Sequence, residues 1–368
     1  MKDSGEIVGI GMMFAAGVAA GAVLAEYIKV FPLAIPCCLS MTIPTLSVVI
    51  FLKSSGKKPN RFAFLSLFLI TGLFCSVNSI IGYGIPIPQG YLARVANIKG
   101  EQLKNLIDNI PYPSSGTGPL VKALLTGDRS GLGKATVNIF RTSGASHILA
   151  LSGLHLGILY LILARLTAPL GNSPRAKRMR FLLTIGAAGF YTLMTGASPS
   201  IVRAFLYITI GETARLIGRE RNPANILLTA LTIQLALKPE VITTLGFQLS
   251  YLAMAGITFI YPWMEKMYPE GDGFAGRIDP MRKLWKGAVL SLSCQIFTSP
   301  LAWYRFHTFP KYFLITNLTA LPLTSAVMVL SVTTIALSGA GICPDLLINL
   351  NDKAVSILVE CLSVISSL

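Results

Sequence analysis

The stretch GASHILALSGLHLGIL, residues 144–159, decides how the chain is read. His147, Ser152 and His155 stand in a run that is otherwise apolar and continues to about residue 165. A bilayer core about 30 Å thick takes roughly 20 apolar residues of helix, so the run reads as a membrane span over 146–165. Polar groups at that depth cost free energy unless they face protein or a water-filled cavity. On a helix, Ser152 and His155 are three apart and share a face. His147 and His155 lie eight apart, about 12 Å along a straight axis, too far to ligate one metal. Three readings of these residues stand open. They line a functional pathway; or Ser152 and Gly153 let two helices approach closely; or Ser152 works with a histidine as a hydrolase, although nucleophile and base on one helical face meet poorly.

The rest of the chain agrees with a membrane setting. Of 368 residues 53% are hydrophobic and 13% are charged, against roughly 25% charged in a soluble domain. Mean hydropathy is +0.64. These values exclude a soluble enzyme, a disordered chain and a disulfide-stapled secreted module. Lys and Arg number 31 against 16 Asp and Glu, a formal net charge of +15. Basic loops that fix orientation account for such an excess; an anionic partner such as nucleic acid is the sharper reading. Cys37, Cys38, Cys75, Cys294, Cys343 and Cys361 lie in or at the ends of apolar runs without a C-x-x-C pair, and read as small apolar residues. Three histidines cannot build a His-rich hydrolase metal centre, so no metal and no cofactor are expected.

Apolar runs fall at about 7–25, 33–52, 62–82, 146–165, 181–197, 200–217, 224–238, 245–263, 286–303, 312–338 and 346–366. The fold class expected is therefore an all-α polytopic integral membrane protein with about eleven transmembrane helices, some broken or re-entrant. Run 200–217 carries Arg203 and Glu212, and run 312–338 is overlong and contains Pro322, which is expected to break it. Acids in the spans are few, chiefly Glu212 and Glu360. The basic stretches 53–61, 165–180 and 215–221 all fit the cytoplasm, which puts the amino terminus inside and segment 83–145 outside. That segment reads as one or two amphipathic helices, ended by Pro111 and Pro113. The division expected is 1–83 for the first spans, 84–145 for a short extracytoplasmic segment, and 146–368 for the channel-like part. The run Gly127-Asp128-Arg129-Ser130-Gly131-Leu132-Gly133-Lys134 is no phosphate-binding loop, because Asp128 stands where its first glycine should be and no Ser or Thr follows Lys134.

The motif at 144–159 closely resembles the signature of the ComEC family of competence proteins. Four more stretches follow that family's pattern in order. They are Leu124 to Leu132 (L-x-x-G-D-R-x-x-L), Ala197 to Ala204 (with Pro199, Arg203 and Ala204), Phe247-Gln248-Leu249-Ser250-Tyr251, and Ser299-Pro300-Leu301 with Asn317-Leu318 to Pro322. The resemblance covers about 120–325. It implies an inner-membrane channel, multi-pass with a cytoplasmic amino terminus, that passes single-stranded DNA into the bacterial cytoplasm during natural transformation. Segment 83–145 looks too short for the OB-like domain of long members. The metallo-β-lactamase-like domain of long members has no H-x-H-x-D-H motif here, so nuclease activity is not expected and the chain reads as a transporter rather than an enzyme. The implied partners are single-stranded DNA, the lipid bilayer, a cytoplasmic helicase-like motor and a periplasmic DNA-binding protein.

Such a path needs cations for phosphates and flat surfaces for bases. Candidates along it are His147, Ser152, Gly153, His155, Arg203, Gln248, Ser250, Gln295, Asn317 and Pro322. Trp303, Tyr304, Arg305, His307 and Lys311 are candidates for an aromatic and basic pore mouth, or an interfacial belt. The competing functions are a secondary transporter for a small anionic or amphipathic solute, with broken helices at Pro199 and Pro322, and the Ser/His hydrolase.

Overall fold

The computed structural model describes residues 2–28, 68–77, 90–269, 279–307 and 311–368. Among the described residues every regular element is helical, consistent with an all-α chain. The expected span 33–52 lies outside the described residues, as does most of 62–82. The helices are α1 Lys2–Ile28, α2 Phe68–Val77, α3 Tyr91–Asp108, α4 Thr117–Thr126, α5 Lys134–Thr142, α6 Ser146–Leu149, α7 Gly153–Leu166 and α8 Pro174–Met194. There follow α9 Pro199–Leu216, α10 Pro223–Leu237, α11 Leu245–Ala255, α12 Tyr261–Glu265, α13 Pro280–Phe306, α14 Phe313–Gly339 and α15 Asp345–Ser366. Two stretches among the described residues, Gly153–Leu170 and Phe313–Gly339, are long and apolar enough to cross a membrane by length and composition.

Several helices start on the same local chemistry. Ser173, Asn222 and Asp279 each precede a proline at the first helical position, and each side chain accepts from backbone N–H groups of the first turn. The capping oxygen satisfies donors that the helix cannot, and proline loses nothing where its missing N–H would be orphaned anyway.

The chain forms two compact units, Met1–Pro88 with Leu206–Tyr251, and Gln89–Phe205 with Leu252–Leu368. In the first, α1 packs along α10. It also meets α2 so closely that a Cβ on Gly17 would strike Leu69 O, and one on Gly72 would strike Phe14 O. Small residues of this kind let helix backbones touch without a side chain between them. Buried Gln234 on α10 accepts from Tyr251 Oη at 2.9 Å, and Tyr251 packs its ring on Phe247 with centroids 4.6 Å apart. Two aromatic residues of the F-Q-L-S-Y stretch thus do packing work. Glu212 pairs with Arg221 and, at 3.8 Å, with Arg215.

In the second unit, α3, α4 and α5 share a core with α14 and α15, centred on Ile107, Leu120, Leu124, Phe140, Met328, Leu358 and Leu362. The amphipathic stretch is the single helix α3, which ends before Pro111, and α4 and α5 follow it in segment 90–145. A polar clamp joins this segment to α15. Buried Asp352 accepts from Ser114 N at 3.2 Å, Ser114 Oγ at 2.8 Å and Thr117 Oγ1 at 2.5 Å. Next to it, Asn351 Oδ1 accepts from Ser331 Oγ at 3.2 Å and Asn351 Nδ2 donates to Tyr112 Oη at 3.2 Å. Burial pushes the Tyr112 hydroxyl up to about 12. Asp352 is the acid that α15 buries, whereas Glu360 is exposed.

Two helices depart from the sequence expectation. The chain does not break at Pro322; α14 runs unbroken through it, with the proline exposed while Ala320 and Thr324 are buried. Neighbouring helices that hold a proline-containing helix from its other side make such a residue tolerable. Conversely, α11 ends at Ala255 and passes through a π turn at Gly256–Ile260 before α12. A Cβ on Gly256 would strike Ser293 O of α13.

Candidate functional site

The motif does not form one helix over 146–165. It forms α6, three non-helical residues Ala150–Ser152, and α7. Ala150 at ψ 131° and Ser152 at ψ 169° are extended. The shared helical face expected for Ser152 and His155 is therefore replaced by a capping box. Ser152 Oγ accepts from Leu154 N at 3.3 Å, and Ser152 N donates to His155 Nδ1 at 3.0 Å. Ser152 Oγ also lies 3.1 Å from Nδ1. A histidine at the third helical position here does what Glu or Gln does in the ordinary capping box.

That geometry sets the histidine's chemistry. With Nδ1 accepting from a backbone N–H, the neutral ring carries its proton on Nε2. His155 is 0% exposed, and its Nε2 has no hydrogen-bond partner among the described residues. A buried donor left open costs about 1–3 kcal/mol. Among the described residues no acid orients the ring from Nε2, as a Ser–His pair would require.

Arg203 comes to the same place from α9. It is 8% exposed, and its Nη2 lies 3.0 Å from where a Cβ on Gly153 would be, with Ala204 Cβ at 3.2 Å. Gly153 thus gives the guanidinium room beside the first turn of α7. The chain enters α9 through Gly196 and Ala197, both at positive φ, +77° and +50°. A left-handed alanine is strained, and such strain gathers at functional sites. Ser198 Oγ, just before α9, is buried without a hydrogen-bond partner among the described residues.

The other candidates fall as follows. His147 is exposed on α6 and donates from Nδ1 to Gly144 O at 3.2 Å. Asn317, half-buried on α14, has its Oδ1 buried without a partner among the described residues. Beside it, Thr316 Oγ1 donates to Ser143 O at 2.7 Å and so ties α14 to the residue before the motif. Gln295 is half-buried on α13, and Pro322 is exposed on α14. Gln248 and Ser250 belong to the first unit, where Gln248 Nε2 donates to Ile242 O at 2.8 Å. Trp303, Tyr304, Arg305 and His307 form the exposed end of α13, which closes on His307 at φ +51°; Lys311 is exposed beyond it. The structure thus joins Ser152, Gly153, His155 and Arg203. Sequence reasoning placed Arg129 in the glycine-rich turn without giving it a role; its Nε donates to Leu149 O at 3.0 Å. A lone cation next to a glycine turn was the available signal.

A family model described as Competence protein matches residues 124–368. ComE operon protein 3 of Bacillus subtilis (strain 168) is 26% identical over 224 residues, 60% of this chain and 26% of that protein. Competence protein ComA of Neisseria gonorrhoeae is 32% identical over 184 residues, 49% of this chain and 25% of that protein. Uncharacterized protein YcaI of Escherichia coli (strain K12) is 26% identical over 256 residues, 67% and 33% of the two chains. The chain thus spans a quarter to a third of the length of these relatives. No solved structure matches it.

Proposed function

We propose, from the premise that this chain belongs to the ComEC family of competence proteins, that it is a multi-pass inner-membrane channel conducting single-stranded DNA during natural transformation. One observation carries the reading: the motif helix is interrupted inside an apolar run, and Arg203 is seated against Gly153 at the interruption. Irregular backbone at membrane depth is tolerated where it is buried in protein or lines a wet cavity. A guanidinium beside it suits a phosphodiester, which it can hold through two parallel hydrogen bonds. His155, Asn317 and Gln295 are the neutral polar groups of a path that must release its cargo at each step. The exposed Trp303, Tyr304, Arg305, His307 and Lys311 suit the mouth, by stacking bases and attracting phosphates. Transport of this kind calls for no covalent step and no cofactor. The cytoplasmic helicase-like motor and the periplasmic DNA-binding protein are the partners proposed with it.

A solute transporter is the second reading, favoured by the same broken helix. It would need a carboxylate free to carry protons, and the buried acid of α15, Asp352, is already engaged by Ser114 and Thr117.

The test is photo-crosslinking of single-stranded DNA to the full chain in lipid nanodiscs. The crosslinker replaces Leu154, beside Gly153, or Val23, which is exposed on apolar α1. Labelling at 154 and not at 23, falling as salt rises, is expected for phosphate contact. Arg203→Gln should lower that labelling about tenfold, the size of one charge-assisted hydrogen bond. Folded protein that labels at neither position moves the reading to the solute transporter.

A further inference from the structure

The break in the motif helix has an apparent alternative. In a continuous helix the N–H of residue 153 would donate to the carbonyl of residue 149, four positions back. Ala150 and Leu151 are both good helix formers, so locally only the Ser152 cap and Gly153 disfavour that bond. In the structure the Leu149 carbonyl accepts instead from Arg129 Nε at 3.0 Å, a side chain twenty residues away. The same turn lies beside the break itself. A Cβ on Gly127 would sit 3.6 Å from the side chain of Leu151. Gly127 is itself left-handed, at φ +78°, and closes α4 by donating to Ala123 O at 3.0 Å.

The turn is firmly built. Asp128 Oδ1 accepts from Ser130 N at 3.0 Å and from Ser130 Oγ at 2.7 Å. Its Oδ2 lies 3.4 Å from Lys104 Nζ, which also binds Glu101 at 2.8 Å. These bonds hold the Asp128 carboxyl down at about 2. From Lys104 on α3 to Leu149 on α6, polar contacts therefore tie the turn to the break.

We propose that Arg129 is a positioning residue that holds the motif helix open, by competing for the carbonyl that the Gly153 N–H would use to close it. The helix then has two arrangements, broken and continuous. Closing it would turn Ser152 and His155 away from their capping geometry and move Gly153 relative to Arg203. The brace rests on the channel reading for its effect on transport, but not for its effect on the backbone.

Amide hydrogen exchange on the full chain in nanodiscs, read by fragmentation at residues 150–154, tests the brace without DNA. Arg129→Met keeps the aliphatic stem and removes the donor; Arg129→Lys restores one. Expected is at least tenfold slower exchange at Gly153 in Arg129→Met, with α14 and α15 unchanged and Arg129→Lys within threefold of the parent. Transport of single-stranded DNA into vesicles should fall at least tenfold in Arg129→Met and recover in Arg129→Lys. Unchanged or faster exchange at Gly153 in Arg129→Met overturns the brace, and so does loss of protection throughout α14 and α15 in both variants. A parent protein that passes no DNA while the exchange contrast holds overturns the channel reading and upholds the brace.

Discussion

Two polar clusters in the same compact unit, the Asp352 clamp and the motif turn, bury similar chemistry and treat it differently. Asp352 accepts three hydrogen bonds, and Asn351 beside it engages Ser331 and Tyr112. At the turn, Ser152 and His155 satisfy each other, yet His155 Nε2 is sealed from solvent with no partner among the described residues. A satisfied buried cluster stabilises or specifies the fold, whereas one left partly open carries a cost. The clamp reads as architecture, and the turn as a place where stability has been given up for use.

That difference can be broken by mutation. The largest effect on stability is expected from Asp352→Ala, which strands the Ser114 and Thr117 donors and loosens segment 109–117 from α15. The loss should be about 3 kcal/mol, read as a lower midpoint in thermal unfolding of the detergent-solubilised chain. Any transport defect should follow the amount of folded protein. If the variant stays fully stable but stops transporting, the clamp belongs to the path and the contrast fails.

Ser152→Ala comes next. It removes an N-cap and should cost about 1 kcal/mol, with transport lowered less than tenfold because alanine still allows close packing. Complete loss of activity in a protein of parental stability would revive the hydrolase reading.

The smallest effect is expected at Asp128→Asn, and it depends on pH. The folded carboxyl sits at about 2 against an ordinary value near 3.8. A depressed value means that its contribution is present in full above the ordinary value and is lost as pH falls toward 2. The difference in unfolding midpoint between the parent and Asp128→Asn should therefore hold steady from pH 5 to 8 and shrink below pH 4. A difference that grows on acidification would contradict the bonding around Ser130 and Lys104.

How far the molecule could be read from sequence follows the range of the forces involved. Helices α9, α10, α14 and α15 match their apolar runs to within one residue, while α8 and α13 begin seven and six residues before theirs; a long apolar run bounded by caps and prolines is a local signal. The break at 150–152 is only partly local. Ala150 and Leu151 favour helix and the Ser152 cap favours a new start, but the bond that holds the Leu149 carbonyl comes from Arg129, twenty residues upstream. Pro322 errs the other way: a strong local breaker sits inside a helix whose buried side is held by packing. Ser152, Gly153, His155 and Arg203 were legible as a set because the motif and the Ala197–Ala204 stretch could each be seen, though their meeting could not. Asp352 was missed because its partners lie about 235 residues away, and no spacing rule reaches that far.

The junction of Gly256 with α13 bears on inheritance. Every single-base change that replaces a glycine codon with another amino acid introduces a Cβ, and here that carbon would strike the backbone carbonyl of Ser293. No missense change at this codon can be neutral by geometry alone. A saturation library selected for folded protein should return the position almost purely as synonymous glycine, whatever cargo the chain carries.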